Sequence, residues 1–118
     1  MKRILVVDDD KDISEMVQVI LADDYEVECK SEYEGLVDKL KSFDPHLILL
    51  DNSLGERSSG DFISELKEIT ELKAIPIVLF SAHYDIEKVA SKVQADDFLA
   101  KPFSLDDLHN VLEKHIGE

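Results

Sequence analysis

Ile4-Leu5-Val6-Val7-Asp8-Asp9-Asp10 sets four apolar residues directly before three carboxylates. The apolar run is too short for a helix, rich in β-branched residues and cut off by charges that no core accepts. It therefore reads as a buried strand ending at a polar edge. Leu47-Ile48-Leu49-Leu50, ending at Asp51, repeats the pattern, and Ile75 to Phe80, ending at Ser81, is a third instance. Tyr25-Glu26-Val27-Glu28-Cys29 alternates strictly and Asp97-Phe98-Leu99-Ala100 is short, as expected of strands at the edges of a sheet.

Between these strands the apolar spacing turns helical. Ile13, Met16, Val17, Ile20 and Leu21 follow the i, i+3, i+4, i+7, i+8 pattern of a one-faced helix. Leu36, Val37 and Leu40 mark a second helix, for which Ser31-x-x-Glu34 predicts a capping box. Phe62, Ile63, Leu66 and Ile69 mark a third; Ile86, Val89, Ala90 and Val93 a fourth; Leu105, Leu108, Leu112 and Ile116, after Ser104, a fifth. Strict βα alternation with crossovers of this length predicts a doubly wound α/β domain, a parallel five-stranded sheet with helices on both faces. Pro45, Pro76 and Pro102 lie at strand entrances or exits and interrupt no helix, so residues 1–118 read as one domain.

Composition narrows the function. Asp and Glu number 27 against 13 Lys and Arg, a formal net charge of −14, which lacks the basic footprint of a nucleic-acid or anionic-membrane binder. The single cysteine, Cys29, can form no internal disulfide, and no Cys/His spacing resembles a zinc site. Four apolar residues after Met1-Lys2-Arg3 make neither a signal segment nor a membrane span, so the reading is a soluble, cytoplasmic protein.

In open parallel sheets, ligands sit outside the carboxyl ends of the strands. Here those ends carry Asp8, Asp9, Asp10, then Asp51, then Ser81, then Lys101-Pro102. A lone Asp at such a place commonly caps the next helix, which is the better reading of Asp10 or Asp12. Asp8, Asp9 and Asp51 are different if strands one and three are neighbours, about 4.8 Å apart. Each carboxylate pair then repels by roughly 3 kcal/mol at an effective dielectric near 20, so the cluster calls for a cation or a retained proton. A hard cation such as Mg²⁺ fits an all-oxygen set that phosphate oxygens can complete, with Lys101 adding positive charge.

With these motifs assembled, the chain resembles the receiver domain of two-component response regulators. The resemblance runs from Ile4 to the last helix and rests on Ile4 to Asp10, Leu47 to Asp51, Phe80-Ser81-Ala82 and Asp96 to Phe103 in this order and spacing. It implies the CheY-like, flavodoxin-like strand order 2-1-3-4-5. It also implies that Asp51 is the phosphoacceptor, loaded from a phosphohistidine on a sensor histidine kinase or a histidine phosphotransfer protein. Asp8, Asp9, Asp51 and the backbone carbonyl of Ser53 match the Mg²⁺ ligands, with Mn²⁺ able to substitute. Lys101 matches the charge-neutralising lysine, and Lys101-Pro102 a cis peptide. Ser81 and Phe98 match the switch hydroxyl and switch aromatic, which change the surface of helix four, strand five and helix five for a partner protein or a missing output domain. No direct contact with nucleic acid or membrane is implied, and no enzyme activity beyond phosphotransfer and autodephosphorylation at Asp51.

The chain departs from the family pattern in two places. Gly55 stands where the family usually has proline, and the glycine at 60 comes one residue late, which predicts a longer loop after Asp51. Gln94 replaces the usual glycine before Ala95-Asp96-Asp97; because a positive φ is strained for glutamine, a negative φ is expected. His83, two past Ser81, and Ser53, two past Asp51, match positions that tune water access to the phosphoryl group, whereas His46, His109 and His115 have no telling partners and read as structural. Two other functions compete. A haloacid-dehalogenase-type Mg²⁺ phosphohydrolase is hinted at by Asp8-x-Asp10, but it leaves Asp51 without a role. A flavodoxin-like FMN carrier needs a Ser/Thr/Gly-rich loop where three aspartates stand.

Overall fold

The computed structural model describes residues 1–52, 59–81 and 86–117. Among the described residues the strands are β1 (Lys2–Val7), β2 (Tyr25–Lys30), β3 (Leu47–Asp51), β4 (Ile77–Ser81) and β5 (Asp97–Ala100). They alternate with α1 (Lys11–Leu21), α2 (Leu36–Phe43), α3 (Ser59–Lys67), α4 (Ile86–Val93) and α5 (Leu105–Ile116). All strand pairs are parallel, in the order β2-β1-β3-β4-β5. The doubly wound fold and its strand order are as expected.

Strand alternation divides the core in two. Leu5, Val7, Ile48, Leu50, Ile77 and Leu79 face α2, α3 and α4 and pack with Leu36, Leu40, Phe62, Ile63 and Ala90. Ile4, Val6, Leu47, Leu49, Val78 and Phe80 face α1 and α5 and pack with Val17, Leu21, Leu108 and Leu112. The central strands β3 and β4 are buried at every position because helices cover both their faces, while the edge strands β2 and β5 are only partly covered. No helix among the described residues is long and apolar enough to cross a membrane.

Helix ends show where local rules held and where they yielded. Asp10 is the N-cap of α1 and accepts hydrogen bonds from the Asp12 and Ile13 N–H groups. Ser104 and Asp107 form a reciprocal capping box on α5. The box expected from Ser31 and Glu34 does not form, because α2 begins only at Leu36. Gly35, at φ 72°, turns the chain into α2, and the Leu36 N–H is held by the Tyr33 carbonyl. The Tyr33 ring lies against Phe62, its centroid 4.9 Å away, so aromatic packing on α3 holds these residues in a turn.

Gln94 is a second correction: its φ is +63°, not negative. The Ala95 N–H bonds to the Ala90 carbonyl and the Gln94 N–H to the Ser91 carbonyl, which closes α4 in a Schellman motif requiring a left-handed residue at position 94. The motif turns Ala95 back against the core, and that packing sustains the strain. Two boundaries also move. Ile75 lies in a turn before β4, held by the Leu72 carbonyl, and Ile69 lies beyond α3 although it still packs on the core.

Candidate functional site

The sheet register builds the site. Val7 on β1 is paired with Leu50 on β3, so Asp8 and Asp51 leave adjacent strands at the same level. Asp51 is paired with Phe80, and Phe80 with Leu99, so Lys101, two residues further along, arrives on the same face. Its Nζ lies over the Phe80 ring, 4.5 Å from the centroid. Alternation therefore directs Asp8, Asp51 and Lys101 into one cleft at the carboxyl edge, above the α1/α5 side of the core.

Asp8 is 2% exposed and Asp51 6%. Asp8, Asp9 and Asp51 each offer an oxygen within 4.8 Å of the others; among the described residues this is the one such grouping able to hold a metal ion. Lys101 Nζ is 3.1 Å from Asp8 Oδ2 and 3.8 Å from Asp51 Oδ1. The other Asp8 oxygen, Oδ1, accepts the Asp10 N–H at 2.9 Å, which fixes the rotation of the carboxylate. Among the described residues three carboxylates meet one ammonium, a negative excess. An all-oxygen donor set of this kind suits a small hard divalent cation. The consecutive aspartates thus divide their work: Asp10 caps α1, while Asp8 and Asp9 join Asp51.

Ser81 ends β4, is 4% exposed, and its carbonyl accepts the Lys101 N–H at 2.9 Å. The Lys101–Pro102 peptide is cis, as expected. Phe98 is half-buried on β5 against the α2/α3/α4 side of the core. It also lines a groove of about 380 Å³ with Pro102, Asn110 and Val111 of the β5/α5 edge. Ser53, Gly55 and His83 lie outside the described residues.

The sequence reading missed one polar cluster. His115 Nε2 lies 2.9 Å from Asp97 Oδ2, and Lys114 Nζ 3.1 Å from the same oxygen, tying α5 to β5. Eighteen residues separate His115 from Asp97, so spacing carries no sign of the pair; only the docking of α5 brings them together. Burial pushes the Asp97 carboxyl up, but hydrogen bonds from His115, the Phe98 N–H and Lys114 outweigh it and hold the group below the usual carboxylate range. Burial raises the Cys29 thiol above its ordinary value, against a hydrogen bond at Ser14 that lowers it.

Comparison with known proteins agrees with this geometry. Residues 4–113 match the family model described as the response regulator receiver domain. The phosphate regulon transcriptional regulatory protein PhoB of Escherichia coli is 36% identical over 110 residues, 91% of this chain and 48% of that protein. The nitrogen assimilation regulatory protein NtrX of Azorhizobium caulinodans is 34% identical over 116 residues, 94% of this chain and 25% of that protein. The chain thus spans about half, or less, of the length of these relatives. Among solved structures, the chemotaxis response regulator CheY4 of Vibrio cholerae superposes with a TM-score of 0.88 at 26% identity, covering 98% of this chain and 99% of that one. With the match covering nearly its whole length and the acidic cleft at the carboxyl edge of a 2-1-3-4-5 sheet, this chain belongs to the response regulator receiver domain family.

Proposed function

We propose that residues 1–118 form one receiver unit that is switched by phosphorylation of Asp51. The observation that carries this reading is the meeting of Asp8, Asp9 and Asp51 within 4.8 Å beside Lys101. A carboxylate is the right nucleophile for a reversible signal, because the acyl phosphate it forms is itself reactive. An Asp51 oxygen forms a bond to phosphorus as the P–N bond of a donor phosphohistidine breaks, with the electron pair leaving on the imidazole nitrogen. Sensor histidine kinases and histidine phosphotransfer proteins are the donors this requires.

Asp8, Asp9 and Asp51 would hold Mg²⁺, with Mn²⁺ as a substitute; the Ser53 carbonyl is the further ligand assigned by family resemblance. When bound, the cation neutralises charge on the phosphoryl oxygens, the main requirement of such a site. Lys101 contributes a fixed ammonium beside Asp51, and Asp8 holds that ammonium in place. Ser81 supplies the hydroxyl that turns toward the phosphoryl group. Phe98 follows, and the α4/β5/α5 surface changes for a target protein or an output domain, in a cytoplasmic setting. The added charge biases a two-state element, and the partner selects one state. Multiple turnover on phosphate esters, nucleic-acid contact and membrane contact form no part of this role.

Intact mass after incubation with acetyl phosphate tests the proposal. One added phosphoryl group is expected on wild type with Mg²⁺, and none without Mg²⁺ or on Asp51→Asn. An adduct that survives Asp51→Asn overturns the assignment.

A further inference from the structure

Asn52 follows the phosphoacceptor directly and has the same strand parity as Ile48 and Leu50, which face α2, α3 and α4. An amide at the end of an apolar stripe needs a polar partner. It finds one on α3: Ser59 Oγ donates to Asn52 Oδ1 at 2.9 Å, and Ser59 is 3% exposed. On its main chain, Asn52 donates its N–H to the Phe80 carbonyl at 3.1 Å, which extends the β3–β4 pairing one residue past Asp51. The residue after Asp51 is thus held twice, by β4 through its backbone and by α3 through its side chain.

We infer that Ser59 and Asn52 are positioning residues, a clasp between α3 and the end of β3 that fixes the direction of the Asp51 carboxylate. The inference rests on Asp51 being the phosphoacceptor. The contact described joins the two side chains to each other, one residue beyond Asp51. Their effect passes through the peptide joining Asn52 to Asp51, where a small misplacement of the nucleophile is enough to slow the reaction. The clasp borders a groove of about 650 Å³ between α3 and α4, lined by Asn52, Ser59, Val89 and Val93, so a methyl added at position 59 has space nearby.

The test combines the rate of phosphorylation by acetyl phosphate with native-state amide exchange of the full chain. A hydrogen bond of ordinary net strength corresponds to a factor of about two to ten. Ser59→Ala is expected to slow phosphorylation by about that factor and to speed exchange of the Asn52 N–H, while the Val6 and Val7 amides of β1 keep their wild-type rates. Ser59→Thr, which keeps the hydroxyl, is expected to restore both. Asn52→Ala should match Ser59→Ala, and the double variant should be no slower than either single one, the signature of one shared contact. Wild-type phosphorylation in Ser59→Ala, losses that multiply in the double variant, or equal acceleration of the β1 amides would each overturn the clasp. Failure of the phosphoacceptor reading looks different: wild type itself then stays unloaded, or Asp51→Asn still loads, and the clasp loses its role with it.

Discussion

Lys101 sets its ammonium among the carboxylates of the acidic cleft, beside both Asp8 and Asp51. Its Nζ is the hydrogen-bond partner of Asp8 Oδ2, a carboxylate that is almost fully buried. Lys101→Met keeps the length of the side chain and removes the charge, leaving three carboxylates to repel one another. The expected loss is about 1–3 kcal/mol of unfolding free energy, the cost of a buried polar group deprived of its partner. Millimolar Mg²⁺ should restore part of it by binding the folded state alone. Urea unfolding with and without Mg²⁺ measures both effects; a variant as stable as wild type without Mg²⁺, or indifferent to Mg²⁺, contradicts this account. The cluster was legible in the sequence because buried strands cannot run on through carboxylates, so each apolar run marks its own polar end. The division of labour among the aspartates was legible in part: capping fell to Asp10 or Asp12 on sequence grounds, and backbone geometry chooses Asp10.

At the scale of elements, apolar runs and periodicity located the helices and strands found among the described residues, and the errors fell at their ends. Ser31-x-x-Glu34 has the form of a capping box, but a box operates only where a helix starts, and the packing of Tyr33 on Phe62 delays that start to Leu36. Gln94 shows the converse, a local preference overruled by closure of α4. A left-handed conformation costs an ordinary L-residue about 1–2 kcal/mol, partly offset in a comparison with glycine by glycine's greater freedom when unfolded. Gln94→Gly should therefore stabilise the domain by about 0.5–1 kcal/mol, read as a higher urea midpoint with an unchanged slope. An unchanged or lower midpoint would mean that the glutamine carries no net strain there. The Asp97–His115 pair was illegible for a related reason: it depends on how α5 docks on β5, a contact that leaves no mark in either segment alone.

Across the whole molecule, two groups far from the acidic cleft link stability to pH. His46 Nδ1 accepts the Arg3 N–H at 2.9 Å where β1 and β3 begin, a contact that requires a neutral ring nitrogen. Burial first, then the nearby charges of Arg3 and Lys2, hold this histidine below its ordinary pKa. A folded-state value below the unfolded one means that the stability is fully present above the unfolded value, about 6.5, and is lost as pH falls through the folded value. Asp97 is depressed as well, so its share is fully present above the ordinary carboxylate range, about 3.9, and is lost only in stronger acid. Meanwhile the formal charge of −14 shrinks toward the isoelectric point near 4.5, relieving general repulsion and partly masking the histidine in wild type alone. His46→Asn separates the terms, because the Asn oxygen accepts the same N–H without titrating. The difference in unfolding free energy, wild type minus His46→Asn, should be constant above pH 7 and fall as pH is lowered from 7 to 5, while the repulsion common to both proteins cancels. Urea titrations at stepped pH measure that difference, and a difference independent of pH over this interval would remove His46 from the acid response.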